Sequence, residues 1–170
     1  QLKKAVLQAA IQGKLTDQLP SDGEARDLLQ EIRAEKSRLI QEGKLKPEKP
    51  LPPITEDEIP FNIPDNWCWV RLGKISFNHG QKRPDRKFTY IDISSIDNVG
   101  NRLGNLTKIL KPENAPSRAR KIVQEGDVIY ATVRPYLHNI CIINKNINPE
   151  PIVSTGFAVI TSINLDINRY

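Results

Sequence analysis

Long apolar runs are missing from this 170-residue sequence. No stretch approaches the ~18 residues needed to span a bilayer. No charged, then apolar, then small-residue leader opens the chain either. Hydrophobic residues make up 38% and mean hydropathy is −0.47, low for one compact core but not low enough for disorder. The length allows one domain with an appendage, or two small ones. Cysteine is scarce: Cys68 and Cys141 lie far apart and follow no metal-ligand spacing. Two small buried thiols in a reduced, cytoplasmic protein are expected. The first residue is Gln1 and the last are Asn168-Arg-Tyr170, without a start methionine or a stop signal, so a piece of a longer protein is expected.

Catalytic signatures are missing too. A DNA methyltransferase needs a Gly-rich turn for its methyl donor and an Asn/Asp-Pro-Pro-aromatic segment for the target amine. Asn148-Pro-Glu-Pro151 has neither tandem prolines nor an aromatic residue. A nuclease needs carboxylates clustered for a divalent metal, and the second half offers only Asp92, Asp97, Glu125 and Asp127, with no Asp…Glu-x-Lys pattern. There is no phosphate-binding Gly-rich loop, nucleophile elbow or paired histidine at metal spacing. His79 and His138 stand alone at loop or strand ends, where polar surface is the ordinary role. The sequence therefore predicts no catalytic residue, no metal site and no cofactor of its own.

What is present is an uneven charge. Residues 1–60 carry ten Lys+Arg against eleven Asp+Glu, a net of −1, and residues 61–170 carry fifteen against nine, a net of +6. All the excess positive charge lies in the second part. That points to a polyanion such as nucleic acid, with an unpartnered basic surface as the alternative.

The chain divides by periodicity. Leu2, Val6, Ala9/Ala10 and Gly13 fall on one stripe, predicting a helix over 2–12 that Gly13 stops. Ser21-Asp-Gly-Glu24 has the form of a capping box. It predicts a helix over 24–42 with Ala25, Leu28/Leu29, Ile32, Lys36 and Leu39/Ile40 on one face, ended by Gly43. Five prolines between 44 and 60 predict an extended, semi-rigid strap. Beyond it the period becomes that of strands: Trp67–Leu72, Phe88–Ile93, Leu106–Leu110, Asp127–Val133, Ile140–Ile143 and Ile152–Thr161, separated by Asn-, Gly- and Pro-containing turns. The expected fold is α+β: a helical interaction or spacer-packing segment at 1–43, the strap at 44–60, and a mostly β domain at 61–170.

Binding chemistry is better represented than catalysis. Gln81-Lys-Arg-Pro-Asp-Arg-Lys87 places Lys82, Arg83, Arg86 and Lys87 around a proline turn after Gly80. Ser117-Arg-Ala-Arg-Lys121 is a second cluster, with Arg118 and Arg120 expected on one side and Lys121 turned away toward phosphate or water. Such clusters can contact phosphates, while Arg grips guanine and Asn or Gln grips adenine. Val133-Arg-Pro-Tyr-Leu-His138 would place Arg134, Tyr136 and His138 on one face if it stayed extended. Tyr136 as a core residue is the competing reading. Gln81, Arg83, Arg118, Arg120, His138 and Asn139 are the leading candidates for contacting DNA. Simple solvation of these side chains is the competing reading. Aromatic residues are too few and scattered to favour an RNA-stacking sheet.

Ile63-Pro-Asp-Asn-Trp-Cys-Trp-Val-Arg-Leu-Gly73 resembles the entry to a target recognition domain of the DNA specificity subunit of type I restriction–modification enzymes. Leu7-Gln-Ala-Ala-Ile-Gln-Gly-Lys-Leu15, Leu28-Leu-Gln-Glu-Ile-Arg-Ala-Glu-Lys36 and Lys49-Pro-Leu-Pro-Pro-Ile54 are similar to phrases of the same family, in its order. From Ser76 only a frame is familiar: Ile91–Ile96, Gly126–Pro135 and Val153–Phe157. The resemblance implies a non-catalytic recognition component that reads one half of a split site in double-stranded DNA. It would hold modification (methyltransferase) subunits, which use S-adenosylmethionine, and through them the restriction subunit. A second recognition domain and a long helical spacer, expected of a whole family member, are not in this sequence. A protein-interaction or assembly module with an incidental basic surface is the alternative.

Overall fold

The computed structural model describes residues 1–47, 49–105 and 107–163. The fold is α+β, and the chain separates into two compact units, residues 1–75 and 76–170.

The first unit holds helices α1 (Leu2–Ile11), α2 (Ala25–Gln41) and a single turn, α3 (Leu72–Ile75). Both long helices end as their glycines predict. Gly13 (φ +66°) and Gly43 (φ +71°) take the left-handed conformation, and the following N–H groups of Lys14 and Lys44 reach back to the Ala9 and Leu39 carbonyls, each at 2.9 Å. The expected capping box does not form. Ser21 lies instead in a 3₁₀ turn, Pro20–Asp22, whose Asp22 carboxylate accepts the Leu19 N–H at 2.8 Å, and α2 starts after Glu24 without a side-chain cap.

Trp67–Leu72 is not among the strands of the described residues, and Leu72 begins the helical turn α3. The segment is instead laced to the helical region. Trp67 Nε1 donates to Gln18 at 2.9 Å, Trp69 packs edge-on against Phe61, and the Ala25 N–H that opens α2 donates to the Asn66 carbonyl. Arg71 ties down the proline strap, donating to the carbonyls of Pro52 (2.7 Å) and Pro53 (2.9 Å) while gripping both oxygens of Glu58. The division of the chain after Ile75 thus leaves residues 61–75 with the helices.

The second unit is built from short strands: β1 (Ser76–Phe77), β2 (Phe88–Ile91), β3 (Ile96–Asp97), β4 (Arg102–Leu103), β5 (Lys108–Leu110), β6 (Ala119–Ile122), β7 (Val128–Ala131), β8 (Ile140–Ile142), β9 (Pro151–Ser154) and β10 (Phe157–Ser162). Leu106, where the third expected run began, lies outside the described residues. One sheet has the order β1-β10-β7-β8, a second β5-β2-β9-β6, and β3 and β4 form a ribbon. All pairs are antiparallel except β2 with β9. Residues of both sheets share one core: Ile91 and Val153 from the second meet Ile129, Cys141 and Phe157 from the first. On the other face of the second sheet, Phe88, Tyr90, Ala119 and Ile152 form a smaller cluster. The central strands β2 and β9 are therefore buried on both faces, which is why Phe-Thr-Tyr-Ile and Pro-Ile-Val-Ser show no apolar–polar alternation. Burial pushes the Cys141 thiol up to about 11, which keeps it neutral and inert, as its sequence context suggested.

Candidate nucleic-acid interface

Two basic clusters distant in sequence become neighbours through backbone pairing. Residues 80–82 run antiparallel along the free edge of β6: Gln81 bridges Lys121, the Lys82 N–H donates to Arg120 O at 2.9 Å, and the Ile122 N–H to Gly80 O at 3.3 Å. Ser117–Lys121, expected as an approach to a strand, mostly is one. Its alternation is visible in Ala119, which is fully buried while Arg118 is exposed. A bulge between Ala119 and Lys121 breaks that alternation, so Lys121 does not simply oppose Arg120.

Local partners then sort the cations. Lys82 donates to Glu150 at 2.7 Å, and Arg86 lies 3.5 Å from the same carboxylate. Lys121 is directed not to solvent phosphate but inward, to the Phe157 carbonyl. Arg120 donates to Ser117 O at 3.0 Å. Arg83, Lys87, Arg118 and Arg134 are exposed, with no ion-pair partner among the described residues, and Gln81 is exposed as well. Glu150 was not anticipated as a counter-charge. Its signal in the sequence is an acid between two prolines immediately before a strand.

The 133–138 segment does not remain extended. Pro135–Leu137 forms a 3₁₀ turn between Arg134 (φ +54°) and His138 (φ +52°), both left-handed, so Arg134, Tyr136 and His138 do not line one face of a strand. Proline's fixed φ promotes the turn. Tyr136 is 69% exposed, which removes the core reading, whereas Asn139 is buried at 7%. The turn meets a second loop, Asn98–Asn101, whose Asn98 Nδ2 donates to Leu137 O at 3.0 Å. Asp97 organises that loop: its carboxylate accepts the N–H groups of Val99 (3.2 Å) and Gly100 (3.0 Å) and the Arg102 Nε–H (2.9 Å). These donors, the Gly100 amide foremost, hold the Asp97 carboxyl below its ordinary range. Backbone bonds from Thr155 N to Arg118 O and from Thr132 N to Gly156 O link the turn's stem to the second basic cluster.

His79 is less exposed than a lone loop histidine should be, with a side chain 16% accessible. Its Nε2 stands 3.2 Å from Asp127 Oδ2 and 3.1 Å from Thr161 Oγ1. Asp127, 1% exposed, also accepts the Gln124 N–H and the Thr161 hydroxyl, both at 2.7 Å. One ring nitrogen serves both partners, so this is a clasp and not a nucleophile–base–acid relay. It fixes the residue immediately before the Gly80–Lys87 loop. Among the described residues no His, Cys, Asp and Glu gather as a metal site, and no helix is long and apolar enough to cross a membrane.

No protein-family model matches the chain. Among curated proteins it is 35% identical over 142 residues to the type I restriction enzyme EcoAI specificity subunit of Escherichia coli, covering 81% of this chain and 24% of that protein. It is 48% identical over 77 residues to the EcoEI specificity subunit of the same organism, covering 45% and 13%. Among solved structures it superposes on the HsdS subunit from Thermoanaerobacter tengcongensis with a TM-score of 0.56 and 40% identity, covering 61% of this chain and 27% of that one. A structure described under complex assembly and conformational transition of the type I R-M system matches at 0.53 and 40% over the same shares. The chain thus spans about a quarter of the length of the first of these relatives, and it is a homologue of part of the type I restriction enzyme specificity subunits.

Proposed function

We propose that this chain is a DNA-recognition portion of a type I restriction–modification specificity subunit, reading one half of a split site. The observation that carries the proposal is a set of exposed cations, Arg83, Lys87, Arg118 and Arg134, which have no ion-pair partner among the described residues and lie on edges and loops of a two-sheet core, in a chain whose relatives are specificity subunits. Cations on loops held by a rigid scaffold suit phosphate gripping and base contact. The chain itself does no chemistry. Modification subunits bind S-adenosylmethionine and join this chain to the restriction subunit. The first unit supplies protein-facing surface: α1 has no buried residue and leaves Leu2, Leu7 and Ile11 more than half exposed. These subunits work in the cytoplasm, where the DNA is.

The test is selection of duplexes from a random pool by the full-length subunit, followed by binding at several salt concentrations. One half of the enriched site should change when this portion is exchanged for that of another subunit. Labelled S-adenosylmethionine should transfer no methyl group without the modification subunits. Absence of enrichment, or methyl transfer by this subunit alone, would overturn the assignment.

A further inference from the structure

The loop at 98–101 and the turn at 133–138 share features that the basic clusters do not have. Every non-glycine residue with positive φ among those described, Asn101, Arg134 and His138, lies in one or the other. Left-handed backbone is costly for side-chain-bearing residues and persists where the surroundings enforce it, often at functional sites. Here the enforcement is visible: Asp97 holds the Val99 and Gly100 amides, and Asn98 binds Leu137 O across to the turn. Beside Asn98, Asn101, Arg134 and His138, these built loops display exposed apolar side chains. Val99 is 92% exposed, Tyr136 69%, Val133 48% and Leu137 40%. Holding a valine and a tyrosine in water on fixed backbone costs solvation free energy that burial against a partner recovers.

The neighbouring charges identify that partner. Arg134 lies within the turn, and Arg118 is joined to its stem through Thr155 and Gly156; both are exposed, with no carboxylate partner among the described residues. The acid immediately before the first loop, Asp97, is already engaged by Arg102 and two amides. An apolar tip flanked by unpaired arginines is complementary to a polyanion bearing small apolar groups. In duplex DNA those groups are the thymine methyls of the major groove.

We propose that the tied loops 98–101 and 133–138 form one reading surface, in which Val99 and Tyr136 contact thymine methyl groups while Arg118 and Arg134 grip the strand beside them. This inference rests on the DNA-recognition reading and adds Asn98 and Val99 to the residues that serve it.

The experiment uses the full-length subunit and its selected site, with each thymine of the half-site read by this chain replaced singly by deoxyuridine, which lacks only the methyl. At least one replacement should weaken binding about fourfold, as loss of one buried methyl does. Val99→Ala or Tyr136→Ala should abolish that difference, Tyr136→Phe should retain it, and Arg118→Ala should weaken thymine and uracil duplexes alike. Thermal unfolding checks that each variant is folded, and the Tyr136→Phe protein keeps the test decisive if truncation destabilises the unit. Equal binding of all thymine and uracil duplexes, or a difference that survives both alanine variants, would overturn the proposal. So would variants that bind DNA normally but fail to assemble with the other subunits, since the surface would then serve a protein. Failure of the unaltered subunit to select any duplex is a separate outcome and removes the recognition reading itself.

Discussion

Gly13 and Gly43 share a left-handed backbone and end equivalent helices, but their surroundings differ. A Cβ on Gly13 would stand 2.7 Å from Pro64 Cδ, whereas one on Gly43 would meet nothing within 4 Å. Both alanine substitutions incur the backbone penalty, and only the first also collides with a rigid ring. Gly13→Ala should therefore cost the first unit roughly 2–4 kcal/mol. Gly43→Ala should cost about 1 kcal/mol. Urea unfolding followed by tryptophan fluorescence measures both, and equal losses would mean that the Gly13–Pro64 approach is unimportant. The glycines as helix stops were legible because the requirement is local. That Gly13 must also admit Pro64 was not, since the two are brought together only by folding.

At the scale of elements, the proline strap is held by an ion pair. Arg71 and the Thr55 amide hold the Glu58 carboxyl down to about 2, against an ordinary 4.5. A depressed carboxylate stabilises the folded state above its unfolded value, and that contribution is lost as pH falls through the folded value. The strap should accordingly loosen between about pH 4.5 and 2, seen as a change in emission of Trp69 or Trp67, and Glu58→Gln should remove this acid transition. Persistence of the transition in the variant would assign it to another carboxylate. The Arg in Trp-Val-Arg-Leu-Gly thus acts as a clasp on residues 52–58, a role no local pattern conveys. Strand β6 was legible only in part. Ser-Arg-Ala-Arg-Lys reads as an alternating approach to a strand; folding packs Ala119 in one cluster with Phe88 and Tyr90, leaves Arg118 exposed and turns Lys121 inward.

For the molecule as a whole, net charge overstates what a polyanion can use. Lys82 and Arg86 share Glu150 and Lys82 also lies 3.7 Å from Asp85, so the four cations of the 82–87 loop bring only about two uncompensated charges. Replacing Lys82, Arg83, Arg86 and Lys87 with alanine should lower the log–log salt slope of DNA binding by about 1.8, not the about 3.6 that four free cations would give at ~0.9 per phosphate. Titration of the full-length subunit on a fixed duplex between low and moderate salt measures the slope. A drop near 3.6 would mean that Glu150 and Asp85 release their partners to DNA. The excess of positive charge after residue 60 was plain in the sequence; its partial cancellation by an acid more than sixty positions away was not.

The sequence by itself determined what depends on near neighbours or on period. It placed the two helices and their glycine stops, the strap, most of the strands, the basic clusters and the resemblance carried by the first 75 residues. Tertiary structure decided what depends on remote partners. It set the tryptophan segment against helices, paired β2 with β9 in parallel, turned Lys121 inward, buried Asn139 and bent 133–138 into a left-handed-flanked turn. A side chain's availability is set by the carboxylate or carbonyl that folding brings beside it. Those partners lie up to some seventy residues away in the chain, as Glu150 does from Lys82, beyond the reach of any helical or strand period.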